Sequence, residues 1–353
     1  MNLRLHLGEL EGTFDMEKAV CNHGFFMMAP NVWNPSTKSL HRPLTLSDSS
    51  SVDVTISHPP TLSFLVVQVH GINNVSRVDE ELILQQVGRM LRISEKDERD
   101  MIEFHQVHEA AKKSGFCRIF RSPSLFEDMV KSILLCNSTW SKTLGMASDL
   151  CALQLKLADG TIRPSTTSRV SKKRKPNPKF KRATRGNFPS AKEIASLEKE
   201  VINEHCKLGY RANQIVNLAK KVENGSLNLE KMEMGEMEVE QVIEKMNKLK
   251  GFGPFATATV LMCLGYYHLV PSDTETLRLL REVHEMKECS KETLEKATNS
   301  IYDRFSPFQS LAYWFDLIQD YETKLGKLSK LSRTDYNSVS GCCHTKKQLE
   351  ANE

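Results

Sequence analysis

The chain has 353 residues, of which 40% are apolar and 26% charged, and its formal net charge is +4. This length is enough for two domains of about 150 residues each, and the composition excludes a mostly disordered chain. No apolar run approaches the ~20 residues of a membrane span, and early acidic residues make the N-terminus a poor secretory signal. The nine cysteines are odd in number, scattered and without a CxxC pair, which favours a reduced, intracellular protein without a zinc ribbon.

The first third of the chain predicts a small β-containing domain over residues 1–95. Residues 61–70, TLSFLVVQVH, are rich in β-branched side chains and predict a strand. We expect the apolar stretch at residues 25–28 to pair with it, and the Pro-, Ser- and Asn-rich segment between them to be a loop. Over residues 78–93 the apolar spacing becomes helical.

Residues 96–325 predict a helical domain. Apolar stripes lie at residues 126–134 and 144–151, and the polar kink Asn137-Ser138-Thr139 separates them. Helical patterns resume near Ala191, and the later ones cover residues 237–249, 254–265, 274–285, 291–304 and 308–324. Residues 326–353 are polar and predict a frayed tail.

The basic charge is concentrated between Gly160 and Lys192. This stretch has eleven Lys and Arg and no Asp or Glu, whereas the rest of the chain has 37 basic and 44 acidic residues, a net charge of −7. Its prolines and low apolar content predict a disordered insertion at residues 160–190. A local basic run suits nucleic acid or a nuclear import receptor, and it is also typical of a solvated linker. The residues that predict import into the nucleus are Lys172, Lys173, Arg174 and Lys175.

A glycine-rich turn joins two predicted helices in the C-terminal half. One helix ends at Leu249, Gly251-Phe252-Gly253 follow, and Pro254 opens the next helix, where its missing N–H has no cost. The glycines allow a tight turn and leave backbone N–H groups at a helix N-terminus, which bind phosphate without reading a base. Taken alone, the pattern favours a plain turn between helices.

A second element lies about twenty residues downstream, where Val270-Pro271-Ser272-Asp273 ends a loop and begins a helix. Ser272 and Glu275 have the spacing of a capping box, which explains the serine but does not require Asp273. We expect the helix dipole and free N–H groups to hold this aspartate ionised.

The hairpin and the aspartate together resemble the signature of the helix-hairpin-helix (HhH-GPD) DNA glycosylase superfamily. The matching patterns are L-x-G-x-G-P-x-x-A from Leu249 and V-P-x-D-T from Val270. The resemblance implies a mainly α, two-lobed helical fold with a small N-terminal antiparallel β domain, closest to the 3-methyladenine and 8-oxoguanine glycosylase branches. It also implies that Asp273 lies at the mouth of a base pocket, where it stabilises an oxocarbenium-like sugar and orients the attacking water.

Three other stretches extend the resemblance over about residues 100–325. Residues 125–142 are similar to the family segment whose helix and following loop insert into DNA, which places Asn137 in that loop. Residues 207–212, KLGYRA, are similar to a stretch whose arginine lies near the strand opposite the lesion; a solvated helix end is the alternative for Arg211. Residues 305–312, FSPFQSLA, are similar to a segment of bacterial 3-methyladenine glycosylase. The implied DNA-binding residues are Gly251, Gly253, Lys250, Asn137 and Arg211.

A flipped base needs a wedge and a stacking pocket. The candidate side chains, each of which is also typical of a packed core, are Trp140, Phe255, Thr259 and Trp314. Family hairpins also bind a monovalent cation through backbone carbonyls. In this sequence those carbonyls would belong to Leu249, Gly251 and Gly253.

Phe255 occupies the position where bifunctional family members have the lysine that attacks the sugar. An aromatic side chain cannot be that nucleophile, so we predict a monofunctional hydrolase. Only Cys289, Cys342 and Cys343 follow Asp273, at the wrong spacing for an iron–sulfur cluster, and no other cofactor is expected. The prediction is a monomeric base-excision-repair glycosylase acting on double-stranded DNA with a damaged base, which these residues do not identify. The alternative is a non-catalytic nuclear DNA-binding module.

Overall fold

The computed structural model describes residues 1–10, 14–162 and 186–340. Its strands form one antiparallel sheet in the order β1-β5-β4-β3-β2. They are β1 (Asn2–His6), β2 (Val32–Asn34), β3 (Ser39–Thr45), β4 (Ser51–Ser57) and β5 (Phe64–Val69). The α-helices are α1 (Met16–Val20), α2 (Arg77–Leu91), α3 (Glu95–Val107), α4 (Glu109–Ser114), α5 (Leu125–Leu135), α6 (Trp140–Ala158), α7 (Ala191–Ala195), α8 (Lys199–Cys206), α9 (Tyr210–Glu223), α10 (Leu229–Glu233), α11 (Val239–Asn247), α12 (Pro254–Leu264), α13 (Thr274–Glu282), α14 (Leu294–Tyr302) and α15 (Gln309–Leu325).

The sheet confirms one predicted strand and corrects its partner. Residues 61–70 contain β5, whose buried Leu65, Val67 and Val69 alternate with more exposed neighbours. The predicted pairing with residues 25–28 is wrong, because those residues lie in and just after a short 3-10 helix, Gly24–Met27, and β5 pairs with β1 and β4. Four consecutive buried apolar side chains lack the alternation of a strand with one exposed face.

The helical part agrees more closely with the sequence. The helices predicted from residue 237 onward are confirmed as α11 to α15, with ends that differ by at most three residues. Glycine and proline mark most of these ends, and their effect on the backbone is local. The fold is therefore mainly helical with a small N-terminal antiparallel sheet, as predicted.

Helix α5 runs through the centre of the molecule, since every residue from Leu125 to Leu134 is buried. It packs antiparallel to α12. Cys136, just after α5, has its Sγ 3.9 Å from the carbonyl oxygen of Gly251, which precedes α12. At the opposite end, Arg121 precedes α5 and donates to the carbonyl of Cys263 near the end of α12, at 2.6 Å. Helix α5 therefore connects the interior to the hairpin.

Buried ion pairs join α5 to the sheet and to α2. Arg42 of β3 donates to both carboxylate oxygens of Glu127, at 2.9 and 3.2 Å, and Lys131 contacts the same carboxylate at 2.8 Å. Asp128 pairs with Arg89 of α2, also at 2.8 Å. Buried charges are tolerated only when they are paired, so these contacts fix the sheet against the helix that leads to the candidate site.

The predicted insertion at residues 160–190 does not extend over its last five residues. Phe188 is buried, and the Asn187 side chain donates to the hydroxyls of Thr45 and Ser51, at 3.0 and 3.1 Å. The predicted import residues, 172–175, lie outside the described residues.

The predicted frayed tail is also corrected over its first part. Within residues 326–340, the carbonyl of Ser329 accepts a hydrogen bond from the Trp33 indole at 2.9 Å, and that of Tyr336 accepts one from the Trp140 indole at 2.8 Å. These contacts tie the segment to the sheet and to the start of α6. None of the helices in the described ranges is long and apolar enough to cross a membrane.

Candidate active site

The predicted hairpin is present between α11 and α12. Gly251 has a φ of +102°, where a side chain is strained, and a Cβ there would lie 3.0 Å from the Gln214 side-chain oxygen. Gly253 is the exposed N-cap of α12, and Pro254 follows in the first turn. Buried Phe252 anchors the turn between the two glycines. The hairpin therefore exposes a helix N-terminus, the feature that suits a phosphate.

Asp273 is the N-cap of α13. Its Oδ1 accepts hydrogen bonds from the backbone N–H groups of Glu275 and Thr276, at 2.9 and 3.1 Å. The predicted cap pair of Ser272 and Glu275 is wrong: the capping box is formed by Asp273 and Thr276, while the Ser272 hydroxyl donates to the Val270 carbonyl. The cap of α13 is thus Asp273, the predicted catalytic residue.

Burial has the largest effect on the Asp273 carboxyl and raises its pKa, and nearby Glu275 adds to the rise. The hydrogen bonds from Thr276 and from the Glu275 backbone act in the opposite direction. The desolvation of this half-buried carboxylate outweighs the hydrogen bonds at the helix N-terminus, so the net change in its pKa is upward. That Asp273 is held ionised stays a prediction. The carboxyl binds a proton more readily than an exposed aspartate.

Residues 136–139 form the loop between α5 and α6, called the Asn137 loop, and the Arg211 side chain is hydrogen-bonded to its backbone. This side chain is only 5% exposed, and its Nη2 donates to the carbonyls of Cys136 and Asn137. Asn137 is exposed and has a φ of +49°. The alternative of a solvated helix end is wrong for Arg211, because its side chain is buried and its Nη2 is bonded within the protein. Its predicted DNA contact stays a prediction. Its neighbour Tyr210 is 53% exposed instead.

Cys136, the first residue after α5, contacts both the hairpin and the Arg211 side chain. Its thiol lies near the Gly251 carbonyl of the hairpin, and the Arg211 contact reaches its own carbonyl. Burial raises the pKa of the thiol, the positive charge of Arg211 lowers it, and the negative charge of Asp273 raises it further. The hairpin and the Asn137 loop thus meet at one end of α5, and the charge of Asp273 acts on the thiol there.

Two predicted pocket residues have their polar groups bonded inside the protein. Thr259 is 2% exposed, and its hydroxyl donates to the carbonyl of Phe255 at 2.9 Å, so it does not present a polar group to a ligand. Trp140 is half-buried, and its indole N–H donates to the Tyr336 carbonyl at 2.8 Å, so its polar group is bonded within the protein. Its role as a wedge stays a prediction.

The other two predicted pocket residues remain candidates. Phe255 is half-buried in the first turn of α12. Trp314 is also half-buried, and its indole N–H has no hydrogen-bond partner among the described residues. Both rings combine an apolar face with partial exposure, as a stacking residue requires.

The N-terminal region supplies two residues that the sequence did not indicate. The His23 ring lies edge-to-face against Trp314 at 4.5 Å, and its Nδ1 donates to the Phe120 carbonyl at 2.9 Å. A Cβ on Gly24 would lie 3.1 Å from the Trp140 ring. Burial lowers the pKa of His23 to about 3, so the ring is neutral near pH 7. The polar run at residues 22–24, just before the buried aromatic residues, was the available signal.

No protein-family model and no curated protein matches the sequence. The structure is similar to that of 3-methyladenine DNA glycosylase from Archaeoglobus fulgidus, with a TM-score of 0.57 and 19% identity over 91% of this chain and 99% of that one. It is also similar to the 8-oxoguanine glycosylase/lyase of Clostridium acetobutylicum bound to double-stranded DNA (TM-score 0.52, 14% identity, 85% and 92% covered). A third similar structure is MBOgg1 with a low-affinity DNA ligand (TM-score 0.52, 19% identity, 78% and 86% covered). The chain has the fold of a DNA glycosylase.

Phe255 and Lys250 lie on opposite sides of the hairpin glycines. Phe255 stands two residues after Gly253, where the family resemblance would put a lysine. Lys250 is exposed and precedes Gly251, on the other side of the turn. In the described part of the chain, no cluster of three or more His, Cys, Asp or Glu side chains forms a candidate metal site.

Proposed function

We propose that this protein is a base-excision-repair DNA glycosylase that hydrolyses the N-glycosidic bond of a flipped, damaged base. The observation that carries the proposal is the half-buried Asp273 carboxylate, held at the N-terminus of α13 by two backbone N–H groups. Its negative charge acts on the Cys136 thiol, which lies near the Gly251 carbonyl of the hairpin. The similarity to glycosylases whose structures contain DNA supports DNA as the partner.

The mechanism uses the ionised form of Asp273. Positive charge develops on the sugar as the bond to the base breaks, and a nearby carboxylate stabilises it and orients a water molecule. The backbone N–H groups contact Oδ1, so Oδ2 is the oxygen proposed to face the sugar. Because burial raises the pKa of this carboxyl, we expect base release to fall as the pH drops through that raised pKa.

DNA binding is assigned to the hairpin and the loop. The N–H groups at Gly251 and Gly253 suit a phosphate, exposed Lys250 adds positive charge, and exposed Asn137 is the residue proposed to fill the gap left by the flipped base. A monovalent cation at the carbonyls of Leu249, Gly251 and Gly253 belongs to the same proposal. The first and last of these already accept one backbone hydrogen bond, and each keeps a second lone pair.

Phe255 supports a monofunctional reaction, since hydrolysis without a lysine nucleophile leaves the abasic strand intact. We expect no covalent product when the protein acts on lesion DNA in the presence of borohydride. A trapped protein–DNA adduct would contradict this part of the proposal.

The deciding experiment measures base release from a panel of duplexes with oxidised or alkylated bases. Asp273→Asn should lower release at least about 100-fold, the effect of removing one electrostatic stabiliser. Glu282→Gln is the matched control, because it changes an exposed carboxylate on the same helix. Equal rates for Asp273→Asn and the wild type would refute the role of the aspartate. Binding without release from any duplex would favour the non-catalytic DNA-binding module.

We further propose a monomeric protein that is imported into the nucleus through Lys172, Lys173, Arg174 and Lys175. The local basic charge in a chain with an otherwise negative balance supports this assignment. Unchanged nuclear accumulation after deletion of residues 170–182 would contradict it.

A further inference from the structure

The buried hydroxyl groups of Thr276 and Tyr313 form a series of close contacts that begins at Asp273. The Thr276 hydroxyl oxygen accepts a hydrogen bond from the Asp273 backbone N–H at 3.1 Å and lies 3.4 Å from Asp273 Oδ1. The same Oγ1 is 3.0 Å from the phenol oxygen of Tyr313 on α15. Thr276 is 0% exposed and Tyr313 2% exposed, so water does not replace these contacts.

The direction of these hydrogen bonds depends on the charge of Asp273. The Thr276 hydroxyl lies within donating distance of both the Tyr313 phenol oxygen, at 3.0 Å, and Asp273 Oδ1, at 3.4 Å, and its single proton serves one of them at a time. In one order Thr276 donates to Tyr313; in the reverse order Tyr313 donates to Thr276 and Thr276 donates to Asp273 Oδ1. Hydroxyl protons rotate to suit their acceptors, and a hydrogen bond to an ionised carboxylate is about twice as strong as a neutral one. An ionised Asp273 therefore favours the reverse order.

We propose that Tyr313 and Thr276 are positioning residues whose hydroxyls form a relay that holds Asp273 in its ionised form and in one orientation. This inference rests on the proposed function, because ionised Asp273 is the form that stabilises a sugar cation. The relay offsets part of the desolvation that a half-buried carboxylate suffers, and it does so without contact between either hydroxyl and the DNA.

The other titratable groups around Asp273 do not supply this effect. Glu275 on the same helix adds negative charge and is paired with Arg278. Cys136 at the end of α5 is kept neutral by a burial-raised pKa, and Tyr321 on α15 has a pKa well above its usual value for the same reason. Burial also raises the pKa of Tyr313, so its phenol keeps the proton that the relay requires.

The test is the pH dependence of single-turnover base release by the full chain. Tyr313→Phe removes only the phenol oxygen, and it should move the acidic limb of the profile up by about 0.5 to 1 pH unit, the size expected for one net hydrogen bond. Thr276→Val should move it similarly, whereas Thr276→Ser keeps a hydroxyl and should restore the wild-type limb. Tyr302→Phe is the control, because its buried phenol bonds Asp316 instead.

An equal loss of rate at every pH in Tyr313→Phe would show a merely structural role and overturn the relay, as would an equal shift in Tyr302→Phe. A direct titration of the Asp273 carboxyl by carbon NMR separates this inference from the proposed function. If the wild type releases no base, the proposed function fails. The relay is tested separately by the measured pKa of Asp273: a higher pKa in Tyr313→Phe supports it, and an unchanged pKa refutes it.

Discussion

Glu127 is the buried carboxylate on which the junction between the sheet and the helices depends. It is 3% exposed, and it accepts hydrogen bonds from Arg42 and contacts Lys131, both of which are fully buried. Burial alone would raise its pKa, but the two cations outweigh burial and lower the pKa to about 2, from an ordinary 4.5. A difference of this size corresponds to roughly 3 kcal/mol of stability near neutral pH.

Glu127→Gln should therefore be strongly destabilising. The amide keeps the shape but leaves Arg42 and Lys131 with uncompensated charges in the interior, a loss of about 3–5 kcal/mol for a broken buried pair. Urea unfolding measures this loss directly. The control is Glu81→Gln, which removes an exposed i,i+4 pair with Arg77 and should cost no more than about 0.5 kcal/mol. A cost below about 1 kcal/mol for Glu127→Gln would refute the reasoning.

The pH dependence of the free energy of unfolding tests the Glu127 ion pairs in a second way. The folded-state pKa of Glu127 is depressed, so its contribution is fully present above the ordinary value of 4.5 and is lost as the pH falls towards about 2. In this window the unfolded chain binds the extra proton. Stability of the wild type should fall more steeply than that of Glu127→Gln as the pH is lowered from 5 towards 3. Parallel curves would contradict the assignment.

Three further substitutions test the candidate site. Gly251→Ala places a side chain at a φ of +102° and should cost about 1–3 kcal/mol and weaken DNA binding in a mobility-shift assay; wild-type values for both would contradict the hairpin geometry. Arg211→Met removes the support of the Asn137 loop and should cost about 2–3 kcal/mol in urea unfolding, with faster amide exchange confined to that loop. Gly24→Val brings a branched side chain against the ring of Trp140, a candidate pocket residue, and should lower base release; unchanged release would exclude a role for this contact in the site.

The hairpin and the helix that carries Asp273 could be predicted because their signals are local. Two glycines and a proline fix the turn at residues 251–254 without help from the rest of the fold. The cap was one residue off because Ser272 and Asp273 are both good N-caps, and their neighbours in sequence do not distinguish them. Thr276 completes the cap with Asp273 and is itself held by Tyr313, which is 37 residues away in the sequence.

Arg211 shows why the remaining site residues could not be placed. An arginine in the first turn of a helix is ordinarily solvated, so its position in the sequence favoured the surface. Its partners are the carbonyls of residues 136 and 137, more than 70 residues earlier. Because every residue has a backbone carbonyl, the residue types do not indicate which carbonyls a side chain will contact. The strands β3 and β4 were missed for a related reason. Pro43 and the serines around them are typical of loops, and the pairing that overrides this preference is a tertiary contact.

The predicted boundary at residue 95 separates segments that the buried contacts hold together. Arg42 neutralises Glu127, His23 packs on Trp314, and Gly24 lies against Trp140. The N-terminal region therefore contributes to the interior and contacts two of the predicted pocket residues. A chain that lacks residues 1–70 keeps every predicted helix but leaves Glu127 buried without its arginine. We expect it to show no cooperative urea transition, since that loss is a large share of the 5–15 kcal/mol that stabilises a typical domain. A cooperative transition with wild-type base release would show instead that the sheet is dispensable.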